Sequence, residues 1–378
     1  MVPTGNVRLV DGLDEALGRG DRRELELALA ADPGLVDRPL GERSWLPLLY
    51  VTHSELLGTE RTDDLLDCAR LLLDAGADPN ASWQHPEYGA LSALYGAAGV
   101  AHEPRMTALL LERGATPDDD ESLYHSCESR DHTCLLLLLD AGARVDGTNA
   151  LGNMLGYDDL EGLRLLLERG VAQQGAEWPE LQGMIEAALA RDRSRAHIEL
   201  LLAHGAPVAL GDATLAVRRG RADLLDLLGP ASPSPSDELL GALRRADRPA
   251  VDAVLAANRG LLERLEQGDR DVLVHAAAGG RLDAARLMLE ISLPVDITSE
   301  EFNETPLHAA SYYGRADMVE LLLEHGADPG AEAGEPFGGT PLEWCERGAT
   351  HADHTVFSGE RQSDYVRTAA AIQERIRS

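Results

Sequence analysis

The arrangement closest to a metal site is His125-Ser-Cys127 followed by His132-Thr-Cys134, two imidazoles and two thiols within ten residues. That ligand set has the softness zinc prefers. The spacing also suits two packed helices, with Cys134 serving as a small apolar side chain at the start of an inner helix. A second group lies in the segment from Ala349 to Ser363, where His351 and His354 stand near Asp364 and could form a metal or acid/base site. These two groups carry the alternative reading, an enzyme or metal-binding protein. The run Asp118, Asp119, Asp120, Glu121 reads as a solvated loop leading into a helix rather than a cation site.

Much other chemistry is excluded outright. All 34 basic side chains are arginine, so no mechanism that needs a lysine ammonium is available. The chain contains no Gly-x-Ser-x-Gly elbow, HExxH helix, calcium loop or dinucleotide fingerprint. The sequence therefore predicts no catalytic residue, no metal ligand and no cofactor, and disfavours a small-molecule ligand. The 65 acidic residues set the net charge at −31, which opposes binding to nucleic acid and to anionic membrane. Four scattered cysteines, Cys68, Cys127, Cys134 and Cys345, make no disulfide framework. With no signal-peptide pattern and no apolar stretch near 18 residues, the reading is a soluble, cytoplasmic protein.

The elements that position these residues are repeated. LLLDAGADP from Leu71 returns as LLLERGATP from Leu109, LLLDAGA from Leu137, LLLERGV from Leu165, LLLAHGAP from Leu200 and LLLEHGADP from Leu321. A weaker copy from Leu287 places Ser292 where glycine is expected. Three consecutive leucines sweep about 200° of a helix, so each such helix is buried on two sides, as stacking between neighbouring copies demands. The glycine that follows predicts a left-handed helix end at Gly76, Gly114, Gly142, Gly170, Gly205 and Gly326. Proline soon after, at Pro79, Pro117, Pro207 and Pro329, blocks continuation.

Upstream of the best copy, Thr305-Pro-Leu-His308-Ala-Ala310 is followed by Gly314 and then by the Leu321 to Asp328 phrase. This stretch closely resembles the ankyrin repeat, a turn and two antiparallel helices of about 33 residues. Thr305 can cap the first helix and Pro306 take its first position. The resemblance implies that His308 is a structural, hydrogen-bonding histidine. It covers residues 20 to 376, and it implies an all-α solenoid of stacked helix-turn-helix units with short hairpin or loop fingers. Units ending at Gly142 and Gly170 are short, so their fingers are expected to be truncated.

Segments from Gly20 and Ala246 align at a constant offset of 226 residues, pairing Asp21 with Asp247, and both look like opening units. The expected organisation is an N-terminal block at 1–230, a Pro/Ser linker at 231–236 and a C-terminal block at 237–378 with an inserted loop at 349–363. In functional terms the sequence predicts a non-enzymatic scaffold that binds another protein, one bearing a basic patch, through a concave groove and fingers. The expected contact residues are Tyr312 and Tyr313 beside the turn at Gly314, with Trp83, Tyr88, Phe337 and Trp344 in or near fingers.

Overall fold

The computed structural model describes residues 12–175, 178–300, 302–334, 337–350 and 363–377. Helices dominate, and the chain divides into two compact units, Met1–Met184 with Leu200–Ala206, and Ile185–Glu199 with Pro207–Ser378.

In the first unit, a row of short helices, Leu13–Gly18, Pro47–Thr52, Ala93–Tyr95, Ser122–Ser126 and Ala150–Gly156, packs in chain order. Ala93–Tyr95 runs directly into a π turn, Gly96–Val100. Behind this row stand Arg22–Ala31, Thr62–Asp74, Pro104–Glu112, Thr133–Asp140 and Leu160–Gln174. The second unit repeats the plan. Its first helices Asp212–Arg218, Pro235–Arg244, Val272–Ala278, Pro306–Tyr312 and Pro341–Thr350 precede or face the second helices Arg248–Ala257, Leu282–Glu290, Ala316–Glu324 and Tyr365–Arg377. The two helices of a unit are joined by one recurring turn, in which the amides of Arg221, Asp247, Arg281 and Arg315 donate to the carbonyls of Ala216, Ala242, Ala276 and Ala310.

The leucine phrase does what its two-sided pattern demands. Leu321, Leu322 and Leu323 are all buried, and the core joins Leu273, Ala277, Met288, Leu307, Val319 and Ile372 from successive helices. Gly76 and Gly326 close their helices at φ 101° and 89°, and Ser292 adopts φ 71° in the place of glycine. The two opening units share a cap: Asp21 accepts from the amide of Glu24, and Asp247 from that of Ala250. Within the run Gly229–Ser236, Ser234 caps the helix that Pro235 opens, so the last residues of the run are the first turn of a helix.

Gly170 departs from the expected pattern. The helix continues through it to Gln174 and ends at Gly175, because no proline follows and because Gly170 serves close approach instead. A Cβ there would lie 2.3 Å from the Trp178 ring, whose Nε1 donates to Asp146 at 2.7 Å. The overrun also has a use. The Gln173 side chain donates to the Ala143 carbonyl at 2.8 Å and accepts from the Val145 amide at 3.1 Å, bracing the loop where a full hairpin would otherwise stand.

Among the described residues, strands form one antiparallel hairpin, β1 (Ser82–His85) and β2 (Gly89–Ser92), with Trp83 opposite Leu91. A smaller finger is closed by a bridge between Leu40 and Trp45, with the Tyr50 hydroxyl donating to the Leu40 carbonyl at 2.6 Å.

Candidate functional site

The hairpin places Trp83 and His85 on one face, since alternate residues of a strand share a side. The backbone amides of Glu87 and Tyr88 donate to His85 Nδ1 at 3.2 and 3.3 Å, which holds the imidazole against the Tyr88 ring with centroids 4.6 Å apart. Trp83 meets His85 at 5.3 Å and Trp45 of the neighbouring finger at 5.0 Å. From Trp45 the contacts pass to the row of first helices: His53 at 5.4 Å, then Tyr95, His125 and Tyr124 at 6.0, 5.2 and 4.9 Å. Eight rings thus form an unbroken chain across two fingers and three first helices of the first unit.

Polar groups edge this chain. The Arg43 guanidinium lies 4.8 Å over the Trp45 ring, a cation–π contact. His125 sits between two acids, 2.8 Å from Glu128 and 3.2 Å from Glu121, and the hydrogen bond to Glu128 raises its pKa despite partial burial. His53 is the opposite case. Burial pulls its pKa down to about 4, and its Nε2, like Trp83 Nε1, is buried without a hydrogen bond. Tyr88 stands at the open end, 64% exposed.

Of the expected contact residues, Trp83 and Tyr88 belong to this chain, joined through His85. His85, Trp45, His53, Tyr95 and Tyr124 are not among the residues the sequence singles out, and His125, a candidate metal ligand in the sequence, is here one ring of the chain. A signal for two of them was present: Tyr95 and Tyr124 each stand three residues after a helix cap, at Ser92 and Glu121, which is the place His308 takes after Thr305.

The other four meet in the second unit. Tyr312 contacts Tyr313 at 5.1 Å and Trp344 at 6.0 Å; Trp344 also meets His308 and Phe337, and Phe337 meets Phe302 at 5.2 Å. Exposure separates them. Phe337 is 50% exposed, whereas Trp344 is buried with its Nε1 donating to the Gly338 carbonyl at 2.7 Å. Tyr313 lies over Val274, Ala278 and Ala309, and burial pushes its phenol up to about 12. The Tyr312 carbonyl accepts from the Tyr365 hydroxyl at 3.1 Å.

His308 has the structural role the resemblance implies. Its Nδ1 accepts from the Thr305 amide and hydroxyl, while Nε2 donates to the Gly339 carbonyl at 3.0 Å, linking one repeat to the next. The His/Cys quartet is divided among separate partners. His132 pairs with Asp159, the N-cap of Leu160–Gln174, at 2.8 Å. Cys127 and Cys134 are buried, which pushes both thiols upward, that of Cys134 to about 11. No group of three or more His, Cys, Asp or Glu among the described residues is placed to hold a metal ion. His351 and His354 lie outside the described residues, as does most of the 349–363 insertion. No described helix is long and apolar enough to cross a membrane.

Comparison with known proteins agrees with this architecture. The family model for ankyrin repeats (3 copies) matches residues 239–333. Palmitoyltransferase ZDHHC13 of Homo sapiens is 36% identical over 104 residues, 24% of this chain and 17% of the relative. The 2-5A-dependent ribonuclease of Homo sapiens is 43% identical over 61 residues, 16% of this chain and 8% of the relative. The ARF GTPase-activating protein GIT2 of Mus musculus is 33% identical over 72 residues, 19% of this chain and 10% of the relative. The chain thus spans only a small part of the length of these relatives. Ankyrin repeats are non-enzymatic in themselves and indicate protein partners. The stacked helix pairs, the capped first helices, the histidine bridge of His308 and the family match together identify residues 239–333 as ankyrin repeats.

Proposed function

We propose that this chain is a non-enzymatic interaction protein that holds a partner protein along the fingers and first helices of its repeats. The observation that carries the reading is the eight-ring chain from Tyr88 to Tyr124. Rings supply large contact area at low side-chain entropy cost, and those carrying an N–H or O–H offer a polar edge as well. Glu121 and Glu128 flank it, and the whole molecule carries −31, so the favoured partner presents a basic patch. The exposed Phe337, which like Tyr312 packs on Trp344, supplies a second contact area in the same class. Residues that are buried, Trp344 above all, act in this reading by holding their neighbours in place.

The test is affinity capture from native extract at 50 and 300 mM salt, using the wild type, Tyr88→Ala/His85→Ala and Tyr312→Ala/Tyr313→Ala, each checked for helical content. The expected result is one or more proteins with basic surfaces, retained by the wild type at low salt and lost by the first double variant. Retention unaffected by that variant would remove the ring chain from the reading.

A further inference from the structure

Although acids outnumber arginines almost two to one in the chain, one cleft in the second unit gathers arginines. It has a volume of about 1,100 Å³, and its lining includes Arg244, Arg245, Arg281, Arg315 and Arg367 against three aspartates. Two of those aspartates are already engaged. Asp317 pairs with Arg367 at 2.6 Å, and Asp364 accepts from the Arg367 amide as a helix cap. The cleft runs along the turns that join first and second helices, so the N-termini of Leu282–Glu290, Ala316–Glu324 and Tyr365–Arg377 all border it. No side chain caps the first two of these helices, whose first-turn amides have no acceptor within the helix.

Three arginines, Arg219, Arg244 and Arg281, lie close together at the back of the cleft, with Asp192 and Asp271 as their counter-charges. Arg281 reaches Asp192 at 2.5 Å, but Arg244 and Arg219 crowd the same region. The Nε of Arg244 is buried and makes no hydrogen bond. Burial, with repulsion from Arg219, pulls the Arg244 guanidinium down to about 10, and burial, with repulsion from Arg218, lowers Arg219. The nearby Asp271 is pushed up to about 6 by burial, yet it stays ionised at neutral pH and attracts Arg244. A half-buried guanidinium lacking a full complement of acceptors is costly unless something else supplies them.

We propose that this cleft binds clustered phosphate groups, with Arg244 and Arg281 at its back, Arg245 and Arg315 on its walls and two uncapped helix N-termini contributing amides. Guanidinium forks and helix N-termini are the two protein groups best shaped for phosphate oxygens, and here they converge. The site lies in a different set of residues from the ring chain and takes ligands of the opposite charge, so it stands or falls independently of the partner-holding reading.

The test uses the full chain and inorganic tripolyphosphate, with sodium chloride of matched ionic strength as control. Calorimetric titration and thermal unfolding are run on the wild type, Arg244→Gln and the exposed-position variant Arg245→Gln. The wild type should bind tripolyphosphate and unfold at a higher temperature in its presence. Arg244→Gln should bind at least tenfold more weakly while unfolding, without ligand, at the same temperature as the wild type or higher. Arg245→Gln should weaken binding by a smaller factor. A purely structural arginine would give the reverse, a lower unfolding temperature with the phosphate response intact, and would overturn the proposal. So would an absence of any response beyond the chloride control. Parallel titrations with ATP and with a doubly phosphorylated peptide identify the source, tighter ATP binding assigning the cleft to a small phosphate compound and tighter peptide binding to a phosphorylated partner segment.

Discussion

His53 shows how a single side chain couples the ring chain to stability. Its folded pKa, about 4, lies below the ordinary value of 6.5 because burial disfavours the imidazolium. The unfolded chain therefore takes up a proton first as pH falls, so the stabilisation is complete above pH 6.5 and drains away as pH drops from 6.5 toward 4. Between pH 7.5 and 5.5 the loss from this group should be about 1 kcal/mol. Other groups titrate in the same range, so the check is a difference: urea unfolding of the wild type against His53→Gln, whose pH dependence should be shallower by that amount. Equal slopes would mean that His53 does not carry the effect. Gly170 offers a second residue-scale test, in which two opposing terms must be weighed. Alanine in the middle of a helix gains about 0.5–1 kcal/mol over glycine, but the new Cβ meets an indole fixed by Asp146, and overpacking costs about 1–3 kcal/mol. Gly170→Ala should therefore lower stability by about 1–2 kcal/mol in a urea titration, the opposite of its effect at an open helical site.

At the scale of elements, what could be read from the amino acids was whatever repeats. The leucine triplets, the closing glycines and the Thr305 to His308 cap are local patterns with one physical reading each, and each forms the element it implies except Gly170, through which its helix continues. What escaped was fixed by contacts between distant residues. The π turn at Gly96–Val100, the Gln173 brace and the meeting of Trp45 with Trp83 depend on how neighbouring units pack, which no local window contains. Tyr312 and Tyr313 close the helix Pro306–Tyr312, the position that their place before Gly314 implies. That Trp344 would be buried and Phe337 exposed was not legible in the sequence, because both sit in stretches that keep the pattern only in part. The helix Pro341–Thr350 illustrates the packing term. A Cβ at Gly348 would lie 1.9 Å from the Tyr312 carbonyl oxygen, a backbone atom that cannot rotate away. Gly348→Ala should consequently part this helix from Pro306–Tyr312 and lower the unfolding temperature, with a cost at the upper end of the about 1–3 kcal/mol of overpacking or beyond it. Retention of the wild-type melting curve would show that the two helices can separate at no cost.

For the whole molecule, the net charge of −31 acts in two directions that salt can distinguish. Like charges spread over a folded chain repel more than they do in the expanded unfolded chain, so the native state is penalised at low ionic strength. Surface ion pairs such as Arg164 with Glu161 and Glu168 oppose this only weakly, because exposed pairs contribute little. Raising salt from 20 to 500 mM shortens the Debye length from roughly 20 Å to roughly 4 Å, which screens repulsion across the surface while leaving the buried leucine core untouched. The unfolding temperature should accordingly rise with salt. Binding of a basic partner along the ring chain should fall over the same range, since its steering depends on the same long-range field. The opposed signs are the useful feature, because one cause predicts both. A melting temperature that fell with salt would mean that ion pairs outweigh net repulsion, and the expectation of a basic partner would then lose the physical argument on which it rests.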